Sequence, residues 1–362
     1  MSDKPERRLM RGNHALAEAA IRAGCRFYAG YPITPQNEVP EYMSDAMPKV
    51  GGVFIQGESE VASINMVLGA SVSGHRAMTS SSSPGVSLKQ EGISFLAGQE
   101  LPAVVVNMMR GGPGLGNIAG SQADYYQATR GGGHGDYRTL CLAPGTVQEL
   151  TDLTYEAFDL ADKYRTPVMV LADGMLGQTM EPVVLPPMRD LKDLPAKDWA
   201  LRGAKGRPGR RSRSLILDTK EMEEHNWKLQ RKYKIIEQKE TRFEEIDLEG
   251  AEMAVVAFGT AARIAKGAIK RVKKEGMKVG LFRPVTVWPF PHQALRALVN
   301  RGITDFLVFE LNAGQMVDDV RLALEGQGRV HLYARPGGII PTPLDLAKAI
   351  TARYHQRAGR CA

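Results

Sequence analysis

The chain has 362 residues, 43% of them apolar and 24% charged; the length predicts two domains and the composition excludes disordered and fibrous classes. Its net charge of +7 raises nucleic acid or a membrane surface as partners, but between Leu201 and Glu240 twelve Lys or Arg stand against six Asp or Glu, so nearly all the excess is local. No apolar run reaches the roughly 18 residues of a bilayer span, and the N-terminal MSDKPERRLMRG carries charge with no signal region after it, so a cytoplasmic protein is expected.

From residue 11 to about 185 helix-like and strand-like segments alternate. NHALAEAAIRAG has helical apolar spacing, CRFYAGYPITP reads as a strand running into a Pro-rich loop, and VFIQG reads as a second strand. A helix over 58–74 follows, then the strand RAMTSS, a helical stretch through Leu96, the strand PAVVVNMM and a long Gly-rich loop. RTLCLA, a helix near 146–164 and the strand PVMVLAD complete this region. Alternation with near-continuously apolar strands predicts an α/β fold with a parallel sheet buried between helices. Residues 190–249 break the pattern. RGAKGRPGRRSRS is rich in Gly and Ser and lacks aromatics, which favours a solvated linker over a nucleic-acid patch, and TKEMEEHNWKLQRKYKIIEQKETRFEE reads as a charged helix. A second α/β unit begins with AEMAVVAFG, continues through a helix at 261–275, KVGLFRPVTVWPF, DFLVFELN and a helix from near Gln315, and ends in RVHLYARPGG. The expected domains are 1–189 and 250–362, with 190–249 between them.

In a parallel sheet, ligands bind outside the carboxyl ends of the strands, so the informative loops are 31–37, 57–60, 81–85 and 110–136. The stretch IQGESEVASINMVLGA passes from strand to helix through Gly57, with Glu58 and Glu60 at the helix start. The macrodipole stabilises acids there, so from this window alone a capping turn accounts for both. Chain-wide, there is no G-x-x-x-x-G-K-[ST] and no G-x-S-x-G. GGPGLG follows a late strand and leads into a polar loop, which disfavours an NAD-binding oxidoreductase. His134 is isolated, and Cys25, Cys141 and Cys361 are too far apart for a self-contained metal or iron–sulfur site, so no metal ligands are assigned.

YPITP at 31–35, GESE and NMVLGAS within 57–71, TSSSSPG at 79–85 and MMRGGPGLG at 108–116 occur in an order that resembles the α subunit of the thiamine diphosphate-dependent 2-oxoacid:ferredoxin oxidoreductases. The branched-chain (2-oxoisovalerate) type is most similar and the 2-oxoglutarate type next; LDTKEMEEHNWKLQRKY and the late ARPGG extend the likeness over almost the whole chain. The resemblance implies a pyrimidine-binding domain over 1–189 and a transketolase C-terminal-like domain over 250–362. It implies that Glu60 is the catalytic glutamate, hydrogen-bonded to N1′ of the cofactor's aminopyrimidine as a proton relay, and that Glu58 serves as a cap or interface residue. Pro32, Ile33 and Thr34 would border the cofactor, Thr34 and Arg110 would meet the 2-oxoacid carboxylate, and Gly111, Gly112 and Gly114 would let backbone approach the substrate. This chain has no G-D-G motif for diphosphate and magnesium. The family places Mg2+ and a [4Fe-4S] cluster on a β subunit, with a γ subunit, a small ferredoxin-like δ subunit, ferredoxin and coenzyme A as further partners. A 2-oxoglutarate- or pyruvate-specific enzyme and a non-catalytic scaffold of such a complex are the alternatives.

Overall fold

The computed structural model describes residues 7–358. The chain opens with β1 (Arg7–Arg11), α1 (Gly12–Arg22), β2 (Phe27–Gly30), α2 (Glu38–Lys49), β3 (Val53–Gln56), α3 (Glu60–Val72), β4 (Ala77–Ser81) and α4 (Ser83–Gly98). It continues through β5 (Ala103–Met109), α5 (Tyr125–Arg130), β6 (Leu140–Leu142), α6 (Val147–Tyr164), β7 (Pro167–Asp173), α7 (Gly174–Gln178) and β8 (Met180–Val184). After a long irregular segment come α8 (Thr219–Glu240), β9 (Phe243–Ile246), β10 (Met253–Val256), α9 (Gly259–Lys274), β11 (Val279–Pro284) and β12 (Thr286–Trp288). The last elements are α10 (His292–Asn300), β13 (Asp305–Glu310), α11 (Met316–Leu324), β14 (Arg329–Ala334) and α12 (Pro343–Ala358).

Two α/β sheets organise these elements. The first has the order β12-β6-β7-β5-β4-β2-β3, parallel throughout except for β12, and every residue of β4, β5 and β7 is buried. Strands covered by helices on both faces have no solvent side to alternate toward, which is why β5 and β7 read as near-continuous apolar runs, while β4 buries Thr79, Ser80 and Ser81 at its carboxyl end. The second sheet has the order β14-β13-β10-β11-β9, with β9 antiparallel at its edge. In the first sheet β2 lies between β3 and β4, so the chain leaves β2 to one side and returns on the other. The crevice opened by such a reversal of strand order is where open α/β sheets bind ligands.

Three features differ from the sequence expectation. The Pro-rich stretch after β2 contains helix α2: Pro40 lies in its first turn, where a missing N–H costs little, and Pro48 lies in its last turn, one residue before the helix ends. KVGLFRPVTVWPF is two strands, and β12 leaves its own half to pair antiparallel with β6. Residues 190–249 are no free-standing spacer. Leu229, Tyr233 and Ile236 of α8 are buried in the first core, and the largely exposed basic segment is tied down where Leu201 N donates to Val72 O at 2.9 Å and Ser212 Oγ to Gln99 Oε1 at 2.9 Å. The halves are also joined by buried Arg283, which reaches Glu149 at 2.5 Å and Glu244 at 2.9 Å. Among the described residues no helix is long and apolar enough to cross a membrane. Cys25 and Cys141 are buried free thiols; Cys361 lies outside the described residues.

Candidate functional site

The segments after β2, β3, β4 and β5 converge at the carboxyl edge of the first sheet. After β3 the chain turns at Gly57, and Ser59 takes extended backbone and caps α3 by accepting from Ala62 N at 3.1 Å. The cap is therefore Ser59, so of the two roles expected for Glu58, cap or interface residue, the cap falls to its neighbour. Glu58 is exposed ahead of the helix, whereas Glu60, its first residue, is only 6% exposed. The room for the Glu60 side chain comes from α4: a Cβ on Gly85 would strike Ser81 Oγ and stand 2.5 Å from Glu60 Oε1. A glycine at this point of α4 is thus a requirement of the neighbouring carboxylate.

Arg110 closes β5 and is 6% exposed. Its Nη1 donates to Thr34 O at 2.8 Å and its Nη2 to Leu115 O at 3.0 Å, while Nε is buried without a partner. The guanidinium thus ties the 31–35 loop to the Gly-rich loop and keeps N–H groups in reserve. Pro32 and Thr34 are exposed and Ile33 is half-buried; Asn37 Nδ2 donates to Thr34 Oγ1 at 3.4 Å. The TSSSSPG turn links the two charged residues, since Ser81 lies beside Glu60 at the Gly85 approach and Ser83 Oγ accepts from Arg110 N at 3.0 Å. Ser81 Oγ and Ser82 Oγ are buried without partners. In the Gly-rich loop a Cβ at Gly111 would meet Asn117 Oδ1 at 2.7 Å, but one at Gly112 or Gly114 would meet nothing within 4 Å. Within the chain, contact alone requires glycine only at the first of these three. Leu115 and Ile118 of the same loop are 79% and 64% exposed.

Two charged residues here were missed in the sequence. Asp124 accepts from Ser83 Oγ at 2.6 Å and from Asn107 Nδ2 at 2.9 Å, and burial raises its carboxyl above the ordinary range, opposed by those two bonds. Lys89 is fully buried behind Glu60, and burial lowers its ammonium to about 8, with the Glu60 charge opposing the shift. A signal for Lys89 existed. The apolar register Val86, Ile93, Leu96, Ala97 places it among the inward positions of α4.

The family model for pyruvate flavodoxin/ferredoxin oxidoreductase, thiamine diphosphate-binding, matches residues 18–248, and that for pyruvate:ferredoxin oxidoreductase core domain II matches residues 251–346. The chain belongs to the 2-oxoacid:ferredoxin oxidoreductase family. As a family member it is an oxidoreductase subunit, and it is similar to the ketoisovalerate oxidoreductase subunit VorB of Methanothermobacter marburgensis, 49% identical over 94% of this chain and 96% of the relative. The 2-oxoglutarate synthase subunit KorA of Archaeoglobus fulgidus is 40% identical over 87% of this chain and 91% of the relative. Among solved structures, the 2-oxoglutarate:ferredoxin oxidoreductase from Magnetococcus marinus, with 2-oxoglutarate, coenzyme A and succinyl-CoA bound, matches with a TM-score of 0.84 at 27% identity. That match covers 97% of this chain and 66% of the other. The residues at the sheet edge fit the family's cofactor: a buried carboxylate with space made for it by Gly85, beside the unpartnered hydroxyl of Ser81, suits the nitrogen-rich edge of an aminopyrimidine.

Proposed function

We propose that this chain is the α subunit of a heteromeric enzyme that oxidatively decarboxylates a branched-chain 2-oxoacid with coenzyme A, yielding acyl-CoA, carbon dioxide and reduced ferredoxin, in the cytoplasm. The higher identity to the ketoisovalerate subunit, 49% against 40% for a 2-oxoglutarate subunit, favours the branched-chain substrate. The observation that carries the reading is the burial of Glu60 against Gly85 at the same strand edge as Arg110. Thiamine diphosphate, when bound, supplies the electron sink for decarboxylation. Glu60 holds and returns the proton at N1′ of its aminopyrimidine, while Pro32, Ile33 and Thr34 border the ring. Arg110 offers its unused N–H groups to the 2-oxoacid carboxylate, with Thr34 alongside, and Gly111 and Gly112 leave backbone open to the substrate. The missing diphosphate motif supports a β subunit that supplies Mg2+ and a [4Fe-4S] cluster, with γ and δ subunits completing the complex; the exposed Leu115 and Ile118 beside the site are suited to face such a partner.

The test is to purify the native complex without oxygen and follow viologen or ferredoxin reduction with a panel of 2-oxoacids and coenzyme A. The expected result is coenzyme A-dependent reduction fastest with branched-chain 2-oxoacids. Preference for 2-oxoglutarate would reassign the substrate, and no reduction with any 2-oxoacid would contradict the enzyme reading.

A further inference from the structure

The pairing of β4 with β5 ends at Ser81 and Asn107. Beyond it the Arg110 backbone N–H donates to a side chain instead, Ser83 Oγ, at 3.0 Å. A hydroxyl that accepts still has its own proton to place. Ser83 places it on Asp124 Oδ2 at 2.6 Å, well inside the 3.4 Å that separates its oxygen from Arg110 O. The same carboxylate oxygen accepts from Asn107 Nδ2 at 2.9 Å, and Ser83 N donates to Asn107 Oδ1 at 3.0 Å, which closes a ring of bonds. Asn107 is fully buried and Ser83 nearly so, and bonds to an ionised acceptor in such surroundings are stronger than neutral ones.

Asp124 is itself held, because the residues on either side of it are fastened to the second half of the chain. Gln122, fully buried, donates from its N to Leu311 O and from its Nε2 to Phe258 O, both at 2.9 Å. Gln315 Nε2 donates to Ala123 O at 2.7 Å, and Gln315 Oε1 accepts from Tyr126 N at 2.8 Å. The carboxylate therefore joins a point fixed by the second half to the main chain of the residue whose fork grips Thr34 O and Leu115 O. One oxygen of Asp124 makes both bonds of the ring. We propose that Asp124 is a positioning residue for Arg110, acting through the Ser83 hydroxyl to set the Arg110 main chain and with it the direction of the guanidinium. This inference rests on the reading of Arg110 as the group that meets the 2-oxoacid carboxylate for its functional meaning, but the connection from Asp124 through Ser83 to Arg110 is a property of this chain alone.

The test uses the reconstituted complex carrying Asp124→Ala, Asp124→Asn or Ser83→Ala, with two readouts. Hydrogen–deuterium exchange followed by mass spectrometry, on overlapping peptides that isolate the Arg110 N–H, reads the connection; steady-state kinetics reads its consequence. Ser83→Ala removes the acceptor of that N–H, and Asp124→Ala leaves the hydroxyl free to turn away from it. Both are expected to speed exchange at Arg110 by about tenfold or more and to raise KM for the 2-oxoacid by about tenfold, with kcat and thiamine content near wild type. In Asp124→Asn the amide oxygen takes both bonds that Oδ2 accepts, so exchange and KM should stay within about twofold of wild type. Asp124→Ala combined with Ser83→Ala should be no worse than either alone, since each breaks the same chain of bonds. Wild-type exchange at Arg110 in the alanine variants overturns the proposal, as does an Asp124→Asn impaired like Asp124→Ala, which would make charge and not connection the cause. Ser83→Ala deletes a single oxygen and carries the test alone should Asp124→Ala fail to assemble. Faster exchange at Arg110 with an unchanged KM would uphold the connection and contradict only the carboxylate-binding role of Arg110.

Discussion

Glu58 and Glu60 are two residues apart at one turn, yet their environments differ because Ser59 takes the cap and leaves one carboxylate outside the helix and the other inside the sheet edge. The sequence placed both at the helix start and could not separate them without the family likeness. Burial separates them in the structure. Arg110 is held differently, by a fork gripping two backbone carbonyls on two loops. Arg110→Lys keeps the charge and loses one of those bonds, so the KM for 2-oxoacid should rise by the equivalent of about 1 to 3 kcal/mol with thiamine content unchanged; steady-state kinetics of the reconstituted complex checks this. Lys89 makes a pH prediction. Its folded value of about 8 lies below the ordinary 10.5, so the unfolded chain binds more protons between those values. The contribution of this group to stability is therefore least favourable below about pH 8 and improves as pH rises through that window. Urea unfolding of the wild type and Lys89→Met through that window checks this: the stability difference between them should shift in favour of the wild type as pH rises.

At the scale of elements, the contact between α3 and α4 positions the site, and two glycines permit it. Gly92→Ala should cost about 1 to 3 kcal/mol by overpacking against Ile64, read as a lowered urea midpoint, because the new Cβ meets a branched side chain from inside the core. Much of this layer was legible beforehand. PVMVLAD is the strand β7 residue for residue, and the long helix near 146–164 begins one residue later, capped by Thr146 accepting from Glu149 N at 3.1 Å. What was not legible has physical reasons. Helix α2 carries its prolines only in its end turns, where they read as loop signals without breaking a helix. β12 pairs with a strand more than 140 residues earlier, a choice made by the open edge of β6 rather than by local pattern. In α8 the apolar stripe Leu229, Tyr233, Ile236 was present but thin among charges, so its packing on the first core went unread.

At the scale of the molecule, the proposed reading makes the chain half of a site shared with a partner subunit. The carboxylate, the arginine and the loops lie at one sheet edge, and the exposed apolar residues of the Gly-rich loop border it. Since the diphosphate motif is absent, the isolated chain should show no tight magnesium-dependent binding of thiamine diphosphate by calorimetry; submicromolar binding by the chain alone would contradict the division of labour. The proton relay proposed for Glu60 therefore has to be examined in the assembled enzyme, by hydrogen–deuterium exchange at thiazolium C2 of bound thiamine diphosphate. Glu60→Gln keeps the shape and, at a helix start, should cost only about 0.3 to 1 kcal/mol of dipole stabilisation, so assembly should survive. Exchange should slow by about 10² to 10⁴ in Glu60→Gln and remain at the wild-type rate in Glu58→Gln. Wild-type exchange in Glu60→Gln, with or without a loss in Glu58→Gln, would contradict the account.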